Sequence, residues 1–331
     1  MKGRIFSGMQ PSGKFHLGNY LGALENWVKL QNDYECFFSI VDLHALTSTY
    51  EDTGKLPEHI YNMALDWLSA GLDPEQNVIF VQSQVKEHAE LHLLLSMITP
   101  LSWLERVPTY KDKLQQLGEQ GKEINTYGFL GYPELMTADI LLYKADTVPV
   151  GEDQVPHLEL AREIVRRFNY LYSPQRLIFP EPMPYLSQAK VLPGIDGRKM
   201  SKSYGNEIPF AAGPDELRAR VRLMVTDPQR IKRSDPGNPD VCTAYTFHKF
   251  YSAGQLERIA GDCRQANIGC VDCKKRLAEN MVSALADIHQ RRQNLEANPE
   301  RVREILAYGA ERARKVAAMT MEEVRAAMHL A

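Results

Sequence analysis

Little in this 331-residue sequence is extreme, and each shortage removes a class of protein. Cysteine is scarce, with five residues, so the chain is not a small scaffold stapled by disulfides. Long apolar runs are missing. The stretch free of Asp, Glu, Lys and Arg from Leu91 to Leu104 is broken by His92 and Pro100, whereas a bilayer span takes about 20 apolar residues. No transmembrane helix is expected. The first residues meet Gln10 and Pro11 before an apolar region long enough for a secretory signal develops, and a cytoplasmic chain is expected. There is no repeat and no low-complexity tract, and neither the 21 Gly nor the 19 Pro dominate, which excludes collagen-like and disordered chains. What remains is ordinary globular composition, 44% hydrophobic and 24% charged. The length suits about two domains and buries roughly 70–75% of the unfolded surface without a metal or disulfide.

The net charge of -3 conceals a division. Residues 1–209 carry 19 Lys and Arg against 26 Asp and Glu, and residues 210–331 carry 20 against 16. A basic C-terminal part suits a polyanionic partner, and it equally suits a solvated helical surface.

Arg4 to Met9, Cys36 to Val41 and Val78 to Gln82 are short, continuous apolar runs, the pattern of strands covered on both faces. Between them, Asn19 to Leu30 and Pro57 to Ala70 place apolar residues at helical spacing. Helical patterns at Glu134 to Tyr143 and Val155 to Phe168 flank another apolar piece, Thr147 to Val150. This alternation predicts an α/β fold, a Rossmann-like parallel sheet with helices on both faces and ligands at the carboxyl ends of its strands. After Pro209 the texture changes to segments rich in Ala, Arg and Glu, such as Lys275 to Gln290 and Arg301 to Ala318. The expected division is a sheet domain over 1–194, a basic loop over 195–206 and an all-helical domain over 207–331. Pro193 to Gly197 reads as a mobile turn at the junction.

The first strand runs through Gln10, Pro11, Ser12 and Gly13 into His16-Leu17-Gly18-Asn19, where a helix starts. A strand, a turn and a helix N-terminus gather backbone N–H groups where a phosphate can sit, and Gly18 lets a nucleotide approach the backbone. His16 and Asn19 either donate to phosphate or ribose, or cap the helix. About 180 residues downstream stands Arg198-Lys199-Met200-Ser201-Lys202-Ser203. Two lysines around a small hydroxyl residue can close on phosphates and neutralise charge that grows as pyrophosphate leaves. Alone, such a string is also a solvated basic turn.

Together, H-L-G-N and K-M-S-K-S resemble the paired signature of class I aminoacyl-tRNA synthetases. The strings PSGKFHLGNYLGALENW, IVDLHALT, LMTADILLY and VPVGEDQVPHLELAREIVRRFN resemble the bacterial tryptophanyl-tRNA synthetases over nearly the whole chain, most densely from residue 4 to 206. The resemblance implies a tryptophan pocket of Phe6, Gly8, Val41, His44, Tyr132, Met136, Asp139, Val148, Val150 and Gln154. The chemistry suits indole, which needs flat apolar walls and one acceptor for its N–H; Asp139 is the candidate acceptor. On the nucleotide side the resemblance implies Gln10, Pro11, Ser12, His16, Gly18, Asn19, Gly151, Asp153, Gln154, Lys199, Met200, Ser201 and Lys202. Lys199, Lys202, Gln10 and Lys113 are the implied catalytic groups, with Lys113 reaching from a segment in which Leu114 to Gly131 is longer than the family pattern. ATP with Mg²⁺ as substrate, L-tryptophan, tRNA(Trp) and a homodimer are the implied partners, with no membrane. Residues 207–331 are then the anticodon-recognition domain.

Four cysteines lie late, at Cys242, Cys263, Cys270 and Cys273, and the last two form a CxxC pair. That pair can bite one metal and two further thiolates can complete four ligands; four unrelated buried thiols fit the spacing too. Cys36, inside an apolar strand, reads as a core residue. Some tryptophanyl-tRNA synthetases carry a [4Fe–4S] cluster on a similar array, so the resemblance implies a cluster here, with Zn²⁺ as the alternative. Two other readings stand beside the main one. A tyrosyl-tRNA synthetase shares both signatures, and a non-catalytic iron–sulfur, nucleic-acid-binding paralogue would keep the fold without working ATP loops.

Overall fold

The computed structural model describes residues 2–108, 110–111, 114, 125–186 and 192–330. Five strands form one sheet: β1 (Arg4–Met9), β2 (Glu35–Ile40), β3 (Val78–Val81), β4 (Thr147–Val150) and β5 (Met183–Leu186). Their order is β3-β2-β1-β4-β5 and every pairing is parallel. The four apolar runs of the sequence are the first four strands. β5 is different: Pro184 and an exposed edge position hide it from any reading of apolar pattern. The chain winds from β1 to β2 and β3 on one side, then crosses to β4 and β5 on the other. That reversal opens a crevice at the carboxyl ends of β1 and β4.

Helices cover both faces, and two apolar clusters result. Trp27, Phe38 and Trp67 pack on one side with Leu217, Phe247 and Met281 of the later helices. Phe6, Phe37, Phe80, Tyr143 and Phe168 pack on the other. The helix Leu56–Ala70 takes Pro57 in its first turn and stops at Gly71, whose φ of 111° suits glycine. The segment expected as one helix over Asn19 to Leu30 is instead Leu17–Asn19, a π-helical turn at Tyr20–Leu24, and Glu25–Leu30. Wide turns of this kind recur at functional sites, and Ala23 and Trp27 of this segment face the central cavity.

Two long helices close the chain. Cys270–Glu296 reaches back to Leu56–Ala70, where Arg292 pairs with buried Asp66 and Arg291 Nε donates to the Ser69 carbonyl at 2.7 Å. Pro299–Ala327 returns to the sheet itself, burying Ala310, Ala313, Ala317, Met321 and Val324 among Phe37 and Phe80. Its Gly309 lies so close to β3 that an added Cβ would stand 1.9 Å from the Ile79 carbonyl oxygen. Among the described residues, no helix is long and apolar enough to cross a membrane.

Candidate active site

A cavity of about 290 Å³ occupies the crevice between β1 and β4. Its walls include all ten residues expected around an amino-acid side chain: Phe6, Gly8, Val41, His44, Tyr132, Met136, Asp139, Val148, Val150 and Gln154. Gln10 and Gly151 share the lining. The floor is polar. Asp139, 1% exposed, accepts from His88 Nδ1 at 2.7 Å, from Gln82 Nε2 at 2.8 and 2.9 Å, and from His44 Nε2 at 3.1 Å. Burial alone would raise this carboxyl, but the His88 charge and the hydrogen bonds from His44 and His88 hold it below its ordinary value. Behind it, His88 Nε2 meets the Tyr143 hydroxyl at 2.8 Å, and Tyr143 stacks on Phe6 with 5.6 Å between centroids. Neither Gln82 nor His88 is visible as functional in the sequence. Each sits beyond a strand or early in a helix in otherwise ordinary composition, and only the fold turns it toward Asp139.

Gln10 also borders a second cavity with Pro11, Ser12, Lys55 and His59. Here the two distant signatures meet. Leu17 N donates to the Ile208 carbonyl at 3.0 Å and Phe210 N to the Phe15 carbonyl at 2.9 Å, which ties the first loop to the segment after K-M-S-K-S. Met200 is buried beside Gly18, whose added Cβ would lie 3.5 Å from its sulfur. Lys202 Nζ donates to the Ser12 carbonyl at 2.8 Å. Desolvation lowers the Lys202 ammonium pKa, partly offset by Glu207 and Asp66.

His16 and Asn19 cap their own helix: Asn19 N donates to His16 Nδ1 and His16 N to Asn19 Oδ1, each at 3.2 Å. Burial, with the nearby Lys202 charge, lowers the His16 imidazole to about 4, so it is neutral at pH 7. The turn expected to be mobile is closed by Gly194 N donating to the Arg198 carbonyl at 2.7 Å and Ile195 N to the Asn206 carbonyl at 2.9 Å. Asn206, 2% exposed, organises the loop: it accepts from Ser201 N at 2.8 Å and donates to Asp196 at 2.7 Å and to the Lys199 carbonyl at 3.1 Å. The Lys199 residue itself is exposed. Asp153 is exposed and accepts from Gln154 Nε2 at 2.7 Å. Lys113 and most of the 114–131 segment lie outside the described residues; within it, Thr126 caps the short helix Tyr127–Leu130.

The family model for class I tRNA synthetases (W and Y) matches residues 2–286. The chain belongs to that family. Among curated members of this synthetase family, the tryptophan–tRNA ligase of Thermotoga maritima is 52% identical over 330 residues, covering 99% of both chains. That of Aquifex aeolicus is 42% identical, over 99% of this chain and 100% of its own. The crystal structure of tryptophanyl-tRNA synthetase from Campylobacter jejuni complexed with ADP and tryptophan superposes with a TM-score of 0.89 at 34% identity, covering 99% of this chain and all of that one. This class I synthetase thus has the α/β sheet and helical C-terminal part that the family requires.

The cysteines do not form the finished metal centre that the sequence led one to expect. All five are free thiols, and among the described residues no three His, Cys, Asp or Glu side chains are gathered as a ligand set. The four late thiols are nonetheless neighbours. Burial first, then Cys242, Cys263 and Cys270, push the Cys273 thiol up to about 12. Arg230 lies 3.8 Å from the Cys263 sulfur and His248 Nε2 3.4 Å from that of Cys273. Cys36 is fully buried in β2, as a core residue should be.

Proposed function

We infer that this synthetase activates L-tryptophan with ATP and transfers it to tRNA(Trp). One observation carries the reading: a largely apolar cavity with a single acidic side chain, Asp139, shares Gln10 with the cavity beside Ser12, where Lys202 docks. An indole presents one N–H and otherwise apolar surface, which suits that floor and those walls. The tryptophan carboxylate is itself the nucleophile. It attacks the α-phosphorus of ATP, the bond to the bridging oxygen breaks, and pyrophosphate leaves with its Mg²⁺, giving the adenylate. The ribose hydroxyl of the terminal tRNA nucleotide then attacks the carbonyl carbon, and AMP departs. The protein's share is alignment and charge stabilisation. Gln10, Pro11, Ser12, Gly18, Asn19, Gly151, Asp153, Gln154, Met200 and Ser201 line the nucleotide, His16 holds the loop shape, and Lys199, Lys202 and Lys113 meet the phosphates. ATP–pyrophosphate exchange with each of the twenty amino acids tests this. Tryptophan alone should support exchange; tyrosine doing so would make the enzyme tyrosyl-specific, and no exchange would make it non-catalytic.

The helical part, residues 207–331, is proposed to recognise the anticodon, supported by its basic balance. A homodimer is proposed through the sheet domain, where Leu93, Met97 and Leu101 are large apolar side chains left exposed on or beside successive helices; sedimentation at several concentrations tests it. Cys242, Cys263, Cys270 and Cys273 are proposed to hold a [4Fe–4S] cluster, with Zn²⁺ as the alternative. Their thiol chemistry supports a soft metal. Such a centre would hold the helical part in place. Iron, sulfide and zinc analysis after anaerobic purification decides between the two, and free thiols without metal overturn both.

A further inference from the structure

The mechanism above uses Asp139 and leaves unexplained why three buried polar side chains stand behind it. Gln82, His88 and Tyr143 are each fully buried, and none of them lines the cavity. Their hydrogen-bond directions are determined. Gln82 Oε1 accepts from Leu43 N at 3.1 Å, so its amide N–H₂ must face Asp139. Leu43 N and Ser83 N also donate to Asp42 at 3.0 and 2.9 Å, which fastens the turn after β3 to the helix Asp42–Thr49. With Asp139 ionised, His44 Nε2 and His88 Nδ1 both carry hydrogen. A carboxylate offers about four acceptor positions, and three donor groups already address it. Their four contacts hold both Asp139 oxygens in place, so the carboxylate meets the cavity as a fixed acceptor.

Resting on the tryptophan reading, we propose that Gln82, His88 and Tyr143 are positioning residues that set amino-acid choice through Asp139, holding the floor carboxylate as an acceptor for one N–H. An indole satisfies that floor. A phenol can donate its O–H there but brings an oxygen whose own lone pairs need partners, and a phenyl ring offers the carboxylate no hydrogen at all. Rejection of this kind, by unpaired buried polar groups, discriminates more strongly than size does. The charged and titratable groups around Asp139 are His44, His88, His92 and Tyr143, with Glu87 acting on Tyr143. Loss of His88 removes the contacts that hold the Asp139 carboxyl down against its burial, so the acid should then take up a proton as pH falls.

The test compares tryptophan with β-(3-benzothienyl)alanine, in which sulfur replaces the N–H at nearly the same shape. Steady-state ATP–pyrophosphate exchange gives kcat/KM for each in the wild type, His88→Phe and Tyr143→Phe. Tyr143→Phe keeps the ring that stacks on Phe6 and Phe37 and removes only the hydroxyl, so it decides the matter if His88→Phe does not fold. The preference for tryptophan over the thia analogue should fall about tenfold in His88→Phe and about threefold in Tyr143→Phe, the scale of a weakened hydrogen bond to a charged group. The KM for tryptophan in both variants should rise more steeply than in the wild type as pH falls, while the KM for ATP controls for the rest of the site. Unchanged preference and an unchanged pH profile in folded variants would overturn the proposal. A wild type that does not use tryptophan would instead overturn the functional reading on which it rests.

Discussion

Glu134 stands on the helix Tyr132–Leu142 that also carries Met136 and Asp139, yet it is 2% exposed. Its Oε1 has no hydrogen-bond partner among the described residues, and Oε2 is 4.0 Å from His92 Nδ1, too far for a hydrogen bond. Burial also lowers the His92 imidazole, so no cation compensates. Desolvation pushes the Glu134 carboxyl from 4.5 up to about 8. The folded protein therefore keeps a proton that the unfolded chain releases above about pH 4.5. Stability from this group is fully present below that pH and is lost as pH rises toward 8. At about 1.4 kcal/mol per pH interval of one, the loss by pH 7 is roughly 3 kcal/mol, or about 2 kcal/mol once partial solvent screening is allowed for. Glu134→Gln has no proton to lose. Urea unfolding from pH 5 to 8.5 should show the wild type weakening steadily relative to Glu134→Gln, with the two curves converging at the acid end. Parallel curves across that range would refute the argument, because they would mean that Glu134 is solvated or paired.

Asp139→Ala should cost tryptophan use about 1–3 kcal/mol in kcat/KM, and selectivity over phenylalanine should fall with it in exchange assays. Lys202→Ala should slow adenylate formation in single-turnover experiments and leave tryptophan binding nearly intact, since charge on pyrophosphate builds only as the bond breaks. Gly18→Ala places a Cβ 3.0 Å from the His16 ring and 3.5 Å from the Met200 sulfur; the KM for ATP should rise several-fold with that for tryptophan unchanged. Gly309→Ala drives a Cβ into the Ile79 carbonyl, and thermal unfolding should report a loss of about 3 kcal/mol or more.

The sheet was legible because parallel strands covered on both faces are dominated by apolar residues, as β1 to β4 are. β5 was not, because an exposed edge strand of four residues with a proline carries no such constraint. The two signatures were legible because loops that approach phosphate need glycine and lysine at fixed places. Asn206 escaped notice: it shapes the lysine loop from within, where any amide of the same reach would read as a surface residue. Gln82 and His88 escaped for the same reason, since their significance lies in what faces them across 51 to 57 residues of chain. The change of texture after Pro209 gives no sign that the last helix comes back to β3, because an alanine-rich stripe reads alike against a helix or a sheet.

That return has a consequence for synthesis. During translation, β1 to β5 leave the ribosome well before Pro299–Ala327 does, and until that helix emerges the apolar groups around Phe37 and Phe80 lack their cover. The nascent sheet face therefore gains its last covering helix only after the rest of the fold has been made. A chain cut before residue 299 would lack the helix that packs on β3. Part of the cluster around Phe37 and Phe80 would then stay exposed.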